Sequence, residues 1–372
     1  MRINPFRLER FYARYEFSAQ YMLSSSDCES LGMNELLQMA DPNSLRLWQD
    51  LKLGYTESQG HPLLREEVSR LYRHIPAEQV LVAAPEEAIF IAMQTLLSPG
   101  EQVIAVSPTY QSLYEIARSI GCYVKPWPLQ LRASGWHVDL DLLEHSITPA
   151  TRLLVLNFPN NPTGCLPTLA EFEAIIALAR KNHLTVFSEE MYRLLEPDPA
   201  LRLPAVCDAY ERGISLSGLS KSFAAPGLRI GWLAAQDRDL PLRWLGLKDY
   251  TTICNSAPSE VLGIIALQNK DQIVQRNCWI IEENLKIAGR FFNENPHLFA
   301  WLPPDAGSIA FPRWLGSEPV EQFCQQLVDQ QSVMLVPGGL FDMPGDHFRL
   351  GLGRRNFGEA LGRVESFLRQ RE

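Results

Sequence analysis

The stretch SGLSKSFAAPGLR, residues 217–229, decides the fold. The apolar run Ile214–Ser217 leads into it and predicts a short buried strand that ends at a polar turn. Lys221 follows that strand among small and hydroxyl residues, where its amine could reach an aldehyde. Ser220 and Arg229 could bind a phosphate dianion there, and a cationic neighbour would lower the pKa of the lysine. A lone lysine in a polar loop is usually a solvated surface residue. The sequence pattern around Lys221 must therefore decide whether this lysine has a catalytic role.

Outward from this stretch, short apolar runs alternate with helical patterns, which predicts stacked βα units and an α/β fold. Apolar residues recur at steps of three and four over Glu86–Leu97 and Leu169–Lys181, as on a helix face. We expect a large domain with a mainly parallel seven-stranded sheet. Its predicted strands are Val80–Ala83, Gln102–Val106, Tyr123–Pro126, Leu153–Asn157, Leu184–Ser188, Ile214–Ser217 and Ile230–Ala234.

The pattern changes after about Asp249. Ser259–Phe292 is typical of long helices, 308–312 and 333–337 of strands, and 359–370 of a closing amphipathic helix. These elements predict a smaller α+β domain. We therefore divide the chain into residues 1–44, a segment that packs with the small domain and covers the active site, residues 45–255, the large domain, and residues 256–372, the small domain.

Composition excludes several classes of protein. The 372 residues are 46% hydrophobic and 21% charged, as in a globular protein, and the net charge of -9 argues against a nucleic-acid partner. No apolar run approaches a membrane span, and residues 1–21 lack a signal-peptide core, so we expect a cytoplasmic protein. The seven cysteines form no CxxC pair and the histidines show no ligand spacing, so no disulfide framework and no metal site are expected.

Two more segments carry chemistry. NFPNNPTG, residues 157–164, closes an apolar strand with a rigid turn and places a side-chain amide at the edge of the sheet where ligands bind. FSEEMY, residues 187–192, puts Glu189 at the end of the next strand, where a carboxylate could keep a ring nitrogen protonated and make that ring an electron sink. Alone, the first is more often just a turn, and strand-end carboxylates are commonly solvated.

In this order, the three segments resemble the fold-type I pyridoxal-phosphate enzymes of the class I/II aminotransferase family. YTESQG at 55–60, SPTY at 107–110 and FRL at 348–350 extend the resemblance over nearly the whole chain. It implies pyridoxal 5'-phosphate as the cofactor, a free amino acid as the substrate, and a homodimer with shared active sites.

The resemblance also implies a role at each matching position. Lys221 would hold the cofactor as a Schiff base and move protons at the substrate α-carbon. Arg349 would bind the substrate α-carboxylate through two parallel hydrogen bonds. The cofactor contacts would come from Asn161 and Tyr192 on the phenolic oxygen, Glu189 on the pyridine nitrogen, Tyr110 on the ring face, Ser220 and Arg229 on the phosphate, and Tyr55 on the phosphate of the neighbouring subunit.

Two positions depart from the family pattern. The partner of the ring nitrogen is usually aspartate, and Glu189 is one methylene longer. The phosphate loop usually carries a glycine and a small residue before a helix, where this chain has Ala84, Pro85 and Glu86. Pro85 has no N–H to donate, and two acids, Glu86 and Glu87, stand near a site that is expected to bind an anion. Phosphate binding must then depend more on the side chains contributed by other segments, or the site is looser.

A narrower resemblance concerns the reaction. Several stretches are similar to the hydroxyarginine cyclodehydratases that form capreomycidine or enduracididine, which eliminate water and let the guanidine close a ring. Trp127 and Phe311, inside two of them, could equally be packing residues. The stretches are KPWPL at 125–129, PGLRIGW at 226–232, DYT at 249–251, AFPR at 310–313 and SSS at 24–26.

A guanidinium substrate requires carboxylates near its tail, and the N-terminal segment offers Glu9, Glu16 and Asp27. Our hypothesis is that Glu9 or Asp27 binds the guanidinium and that Ser25 or Ser26 contacts the carboxylate end. The alternative is a solvated amphipathic helix whose acids pair with its own arginines.

Other activities stay open at this point. An ordinary aminotransferase would use the same Lys221, Asn161 and Arg349 and would release a keto acid. A β-eliminating lyase would release a keto acid and ammonia. A non-enzymatic regulator is disfavoured because no DNA-binding motif is visible in the chain.

Overall fold

A computed structural model describes residues 3–371. The α-helices are α1 (Arg7–Tyr15), α2 (Met33–Gln38), α3 (Pro42–Gln49), α4 (Pro62–Ser69), α5 (Pro85–Leu96), α6 (Ser112–Ile120), α7 (Leu140–Ser146), α8 (Leu169–Lys181), α9 (Val206–Ala209), α10 (Leu240–Lys248), α11 (Ala257–Gln268), α12 (Lys270–Glu294), α13 (Val320–Gln331) and α14 (Phe357–Arg369). Short 3-10 helices span Ala77–Gln79, Pro199–Leu201, Pro226–Leu228 and Gly338–Phe341.

The strands of this structure fall into one large sheet and three small ones. They are β1 (Val80–Ala83), β2 (Gln102–Ser107), β3 (Tyr123–Pro128), β4 (Gln130–Arg132), β5 (Gly135–His137), β6 (Thr151–Asn157), β7 (Thr185–Glu189), β8 (Gly213–Gly218), β9 (Gly231–Ala235), β10 (Phe299–Ala300), β11 (Ile309–Ala310), β12 (Arg313–Trp314), β13 (Val336–Pro337) and β14 (Phe348–Gly351).

The large sheet has seven strands in the order β1-β9-β8-β7-β6-β2-β3. All neighbours are parallel except β9, which runs antiparallel to both β1 and β8. Helices cover both faces, so the central strands are buried and read as continuous apolar runs rather than alternating ones. The α/β fold class is confirmed, and all seven predicted strands are present with ends shifted by one or two residues.

One edge of this sheet gathers the strand ends that carry polar residues. Strands β6, β7 and β8 are adjacent and parallel, so their carboxyl ends meet. Asn157, the last residue of β6, is paired in register with Glu189, the last residue of β7. Lys221 follows three residues after the end of β8. The alternation of strands and helices therefore brings three distant motifs to one place.

The C-terminal part has long helices and short strands instead of alternating strands and helices, as the sequence predicts. The helical stretch 259–292 is two helices, α11 and α12, which meet at Asn269. The predicted strands 308–312 and 333–337 pair over two residues each, as β11 and β13 on either side of β14. Among the described residues, no helix has the length and apolarity required to cross a membrane.

The N-terminal segment is fixed against strand β14. The Gly351 N–H donates to the Leu23 carbonyl over 2.7 Å, and Tyr21 bridges to Val333. A Cβ at Gly351 would lie 2.0 Å from the Ser25 carbonyl oxygen, so only glycine permits this approach.

The division into three parts stays a prediction. Tyr21 and Leu23 pack in the same hydrophobic cluster as Phe348, whereas Leu8 packs beside strands of the large sheet. Helix α3 runs through the predicted boundary between residues 44 and 45.

Candidate active site

A cavity of about 680 Å³ opens at the carboxyl edge of the large sheet, between the strand ends and the N-terminal segment. Its size is in the range that holds a small cofactor together with a substrate. The acids that line it are Glu9, Glu16, Asp27, Glu86 and Glu189. The cations that line it are Lys221, Arg229, Arg349 and Arg354.

Lys221 projects into this cavity from the turn after β8. Its Nζ donates a hydrogen bond to the Ser26 hydroxyl over 2.9 Å. Burial lowers the pKa of the Lys221 amine, and the positive charge of Arg349 adds to the effect. A larger share of neutral amine is what a nucleophile and base requires near neutral pH.

Glu189 is held at the end of β7 by two donors. The Asn157 side-chain amide donates to one carboxylate oxygen, and the Met191 N–H donates to the other over 2.9 Å. Burial raises the pKa of Glu189 to about 7. A buried carboxylate in this position is stabilised by a cationic partner, and a protonated ring nitrogen is such a partner.

Arg349 is a buried cation, 1% exposed, that faces the same cavity. Its Nη1 donates to the Asn161 side-chain oxygen and its Nε to the Ser24 carbonyl, each over 3.1 Å. Its Nη2 donates to the Tyr12 hydroxyl. All three partners are neutral, and no acid of residues 3–371 forms an ion pair with it. A carboxylate ligand would supply the missing charge.

Two buried hydroxyls aim into the cavity without a hydrogen-bond partner among the described side chains and backbone: those of Ser220 and Tyr192. Burial raises the pKa of the Tyr192 phenol, so it remains a donor. Buried polar groups in native proteins normally have partners, and orphaned ones indicate a missing ligand. A phosphate at Ser220 and a phenolic oxygen at Tyr192 would satisfy both.

The start of α5 closes the phosphate side of the cavity. Ala84 is the N-cap residue and does not line the cavity, whereas Pro85 and Glu86 do. Burial raises the pKa of Glu86, whose carboxyl group accepts a hydrogen bond from Ser112 over 3.4 Å. Protonation of Glu86 would remove the like charge that the sequence places beside an anion site.

Glu9 and Tyr110 meet across the mouth of the cavity. The Tyr110 hydroxyl donates to Glu9 Oε1 over 2.7 Å, and the ring of Phe6 lies 4.9 Å from the Tyr110 ring. Arg7, on the same helix, pairs with Asp342 rather than with Glu9. The alternative of a self-paired, solvated helix therefore does not describe Glu9. Stacking of Tyr110 on a cofactor ring stays a prediction.

The other N-terminal candidates are already engaged within the chain. Asp27 pairs with Arg354 over 3.0 Å, and the Ser25 hydroxyl lies 3.5 Å from the same guanidinium. Ser26 contacts Lys221 rather than Arg349. Asp27 thus has a cationic partner within the chain, which makes it less available to a substrate guanidinium than Glu9. Its binding of a guanidinium, and contact of Ser25 or Ser26 with the substrate carboxylate, stay predictions.

Tyr55 lies outside the cavity of its own chain and is 94% exposed. Leu53, two residues before Tyr55, and Tyr250, in the stretch DYT at 249–251, are also largely exposed. Its contact with the phosphate of a neighbouring subunit stays a prediction.

Sequence reasoning missed three residues of the site. Asn157 orients Glu189, and its position as the last residue of an apolar run was the available signal. Tyr12 follows Glu9 by one helical turn, which places it on the same face. No sequence pattern around Arg354 indicated that it lies at the site. Trp127 and Phe311 are packing residues: both are buried in the core and neither lines the cavity.

This fold and this site define a pyridoxal 5'-phosphate enzyme of the aminotransferase fold. The residues present fit the cofactor: two orphaned hydroxyls, a guanidinium for its phosphate, a carboxylate for its ring nitrogen and an amine for its aldehyde. The chain belongs to the family described as aminotransferase class I and II, whose model matches residues 23–356.

Three known proteins to which this chain is similar carry different activities in their names. Capreomycidine synthase of Streptomyces vinaceus is 28% identical over 348 residues, which cover 92% of this chain and 88% of that protein. The crystal structure of a PLP-dependent aminotransferase from Streptococcus suis 89-1591 superposes with a TM-score of 0.93 and 32% identity over 100% of this chain and 99% of that one. The PLP-dependent cyclase OrfR superposes with a TM-score of 0.91 and 26% identity, over the same shares of the two chains.

Proposed function

We propose that this enzyme is a cyclodehydratase. It converts a hydroxylated L-arginine into a cyclic guanidine amino acid of the capreomycidine or enduracididine type, with the loss of one water. The acting form is a cytoplasmic homodimer in which Tyr55 reaches the phosphate of the neighbouring subunit.

The observation that carries this proposal is that two acids of the cavity have no cationic partner within the described chain. Arg354 is paired with Asp27. Arg229 and Arg349 are assigned to the two anions, the cofactor phosphate and the substrate carboxylate. Glu9 and Glu16 have no ion pair within residues 3–371, although both line the cavity. A substrate with a cationic tail would match them, and a neutral or acidic tail would not.

The two acids are placed to act together. Glu9 lies in the first turn of α1 and Glu16 is its C-cap residue, seven positions and two helical turns later, so both lie on the same side. Partial burial raises the pKa of Glu16, and the negative charges of Glu9 and Asp27 raise it further. A guanidinium between Glu9 and Glu16 would relieve this repulsion and could donate to both carboxylates.

The chain's own groups then divide the work. When bound, pyridoxal 5'-phosphate supplies a ring that absorbs negative charge from the substrate α-carbon. Arg349 fixes the α-carboxylate, and Lys221 removes the α-proton. Glu9 holds the guanidinium at the far end, so that it cannot swing away before the hydroxyl leaves. Similarity to capreomycidine synthase and to the cyclase OrfR supports the same reaction class.

Mass spectrometry of the products decides the proposal. The holoenzyme is incubated with hydroxylated L-arginines, and we expect a product lighter by one water with no keto acid. Glu9→Ala should raise KM for that substrate by about 100-fold, since removing one partner of a buried charge pair costs 2–5 kcal/mol. The KM of a neutral amino acid is the control. An unchanged KM for hydroxyarginine would exclude Glu9 as the guanidinium ligand.

An ordinary aminotransferase is the second candidate, and the 32% identity to the Streptococcus suis aminotransferase favours it. It predicts accumulation of the aminated cofactor together with a keto acid. Release of a keto acid and ammonia without aminated cofactor would instead indicate a β-eliminating lyase.

A further inference from the structure

The hydroxyl of Tyr110 connects two carboxyl groups at the mouth of the cavity. It donates to Glu9 Oε1 over 2.7 Å, and the carboxyl group of Glu86 lies beside the same hydroxyl. Only Oε1 of Glu9 is hydrogen-bonded within the described chain, so Oε2 is available to a substrate. Tyr110 therefore fixes the rotation of the Glu9 carboxylate without occupying it fully.

Ring closure poses a chemical requirement that the cofactor does not meet. A protonated guanidine has no free electron pair, and its pKa exceeds 12, so water does not deprotonate it at neutral pH. A base within hydrogen-bond reach of the attacking nitrogen must take the proton. Lys221 is engaged at the α-carbon, at the other end of the substrate.

We propose that Glu9 is this second base and that Tyr110 is its positioning residue. The proposal rests on the proposed function and adds a catalytic role to a binding one. In the closing step, a guanidine nitrogen forms a bond to the carbon that has lost its hydroxyl. The N–H proton passes to Glu9 Oε2 and from there to solvent. The π bond left by water loss opens, and its electron pair takes a proton at the neighbouring carbon from Lys221, which solvent has reprotonated after it gave the α-proton to the leaving hydroxyl. One proton is released and one is taken up, and no electrons are gained or lost.

The other acids of the cavity are less suited to this role. Asp27 is neutralised by Arg354. Glu189 is held by Asn157 and Met191 at the strand end. Glu16, the exposed C-cap residue of α1, has no hydrogen bond that fixes its carboxylate within the described residues. Glu86 accepts from Ser112 at the start of α5, on the phosphate side of the cavity. On the N-terminal side, where the substrate tail would lie, Glu9 combines a fixed orientation with an open oxygen.

The test separates the two halves of the reaction. For each variant, the ratio of cyclic product formed to α-deuterium exchanged with solvent is measured on the holoenzyme. Glu9→Gln keeps the size of the side chain and the oxygen that accepts from Tyr110, but it replaces the second oxygen by an NH2 group that takes up no proton. The ratio should therefore fall about 100-fold, as expected for loss of general base catalysis. The uncaptured, dehydrated substrate should then be released and hydrolyse to a keto acid and ammonia.

Tyr110→Phe keeps the ring and removes the hydroxyl, and we expect the ratio to fall about tenfold because the carboxylate loses its fixed orientation. Glu16→Gln is the matched control: it should slow exchange and cyclisation together and leave their ratio unchanged. The binding of L-arginine is measured by the change in cofactor absorbance and shows whether each variant still binds the guanidinium end of the substrate.

The outcomes are distinct. If the wild-type enzyme forms no cyclic product, the proposed function is wrong and this inference falls with it. If the wild type cyclises and Glu9→Gln cyclises with the same ratio, only the assignment of Glu9 as base is overturned. An unchanged ratio in Tyr110→Phe overturns the positioning role of that tyrosine.

Discussion

The floor and the N-terminal wall of the cavity are built in different ways. The floor consists of Asn161, Glu189 and Lys221, which follow the ends of three adjacent parallel strands. The wall consists of α1 and residues 24–27, which reach the cavity only through contacts with distant parts of the chain. The backbone of the large sheet fixes the floor, whereas backbone and side-chain contacts between residues far apart in the chain fix the wall.

This difference separates two tasks. In the proposed reaction, the floor holds the cofactor and acts on the amine and the α-proton, which every α-amino acid has. The wall faces the part in which amino acids differ. We therefore expect changes to the floor to affect all substrates alike, and changes to the wall to affect only those with a cationic tail.

Lys221→Arg should have the largest effect, because it removes the only amine of the floor. We expect activity toward every amino acid to fall at least about 10³-fold, since both nucleophilic and acid–base catalysis are lost. The variant should also lack the visible absorbance that borohydride bleaches in the wild type. A variant that still turned over one class of amino acid would show that the floor is not common to all substrates.

Glu189→Gln tests the electrostatics of the floor. The pKa of Glu189 is raised to about 7 from 4.5, so the folded, cofactor-free protein binds more protons than the unfolded chain between these values. The stability from this group is complete below pH 4.5 and is lost as the pH rises through 7. The loss is at most about 3 kcal/mol, at 1.36 kcal/mol per pKa unit.

Chemical unfolding of the cofactor-free wild type and Glu189→Gln at pH 5 and pH 7.5 measures this contribution. Glutamine does not ionise, so the variant should lack this part of the pH dependence. Equal pH dependence in both proteins would mean that burial does not control the ionisation of Glu189.

Tyr55→Phe tests a residue that contributes neither to the floor nor to the wall of the cavity in its own chain. If Tyr55 donates to the phosphate in a neighbouring subunit, loss of the hydroxyl should weaken cofactor binding about tenfold, as for a hydrogen bond to a charged group. Titration with pyridoxal 5'-phosphate measures this, and light scattering establishes whether the protein is a dimer. A monomeric wild type, or unchanged affinity, would contradict the shared site.

The same contrast explains how much the sequence could predict. The seven strands and the placement of Lys221 and Glu189 follow from local apolar runs that end in polar turns, so each segment carries its own signal. The wall carries no such signal. The contact of Tyr12 with Arg349 joins residues 337 positions apart, and the pairing of Asp27 with Arg354 joins residues 327 apart.

The ion pair of Asp27 could not be predicted for this reason. An acid near the active site looks available in the sequence, and only the folded chain shows that a distant arginine neutralises it. The lengths of β11 and β13 were overestimated for a related reason: apolar runs predict burial, but only the number of paired residues decides how far a strand extends.

Glu16→Gln should have the smallest effect and sharpens the comparison most. Glu16 is solvent-exposed, so its attraction for a guanidinium is weakened by water and salt. We expect KM for an arginine-type substrate to rise about threefold at low salt, because an exposed ion pair contributes less than about 1 kcal/mol to binding. The difference from wild type should vanish in concentrated salt. A neutral amino acid should bind equally well to both proteins. A rise for the neutral substrate as well would mean that Glu16 supports the fold of α1 rather than recognising charge, and the wall would then lose one of its two selective acids.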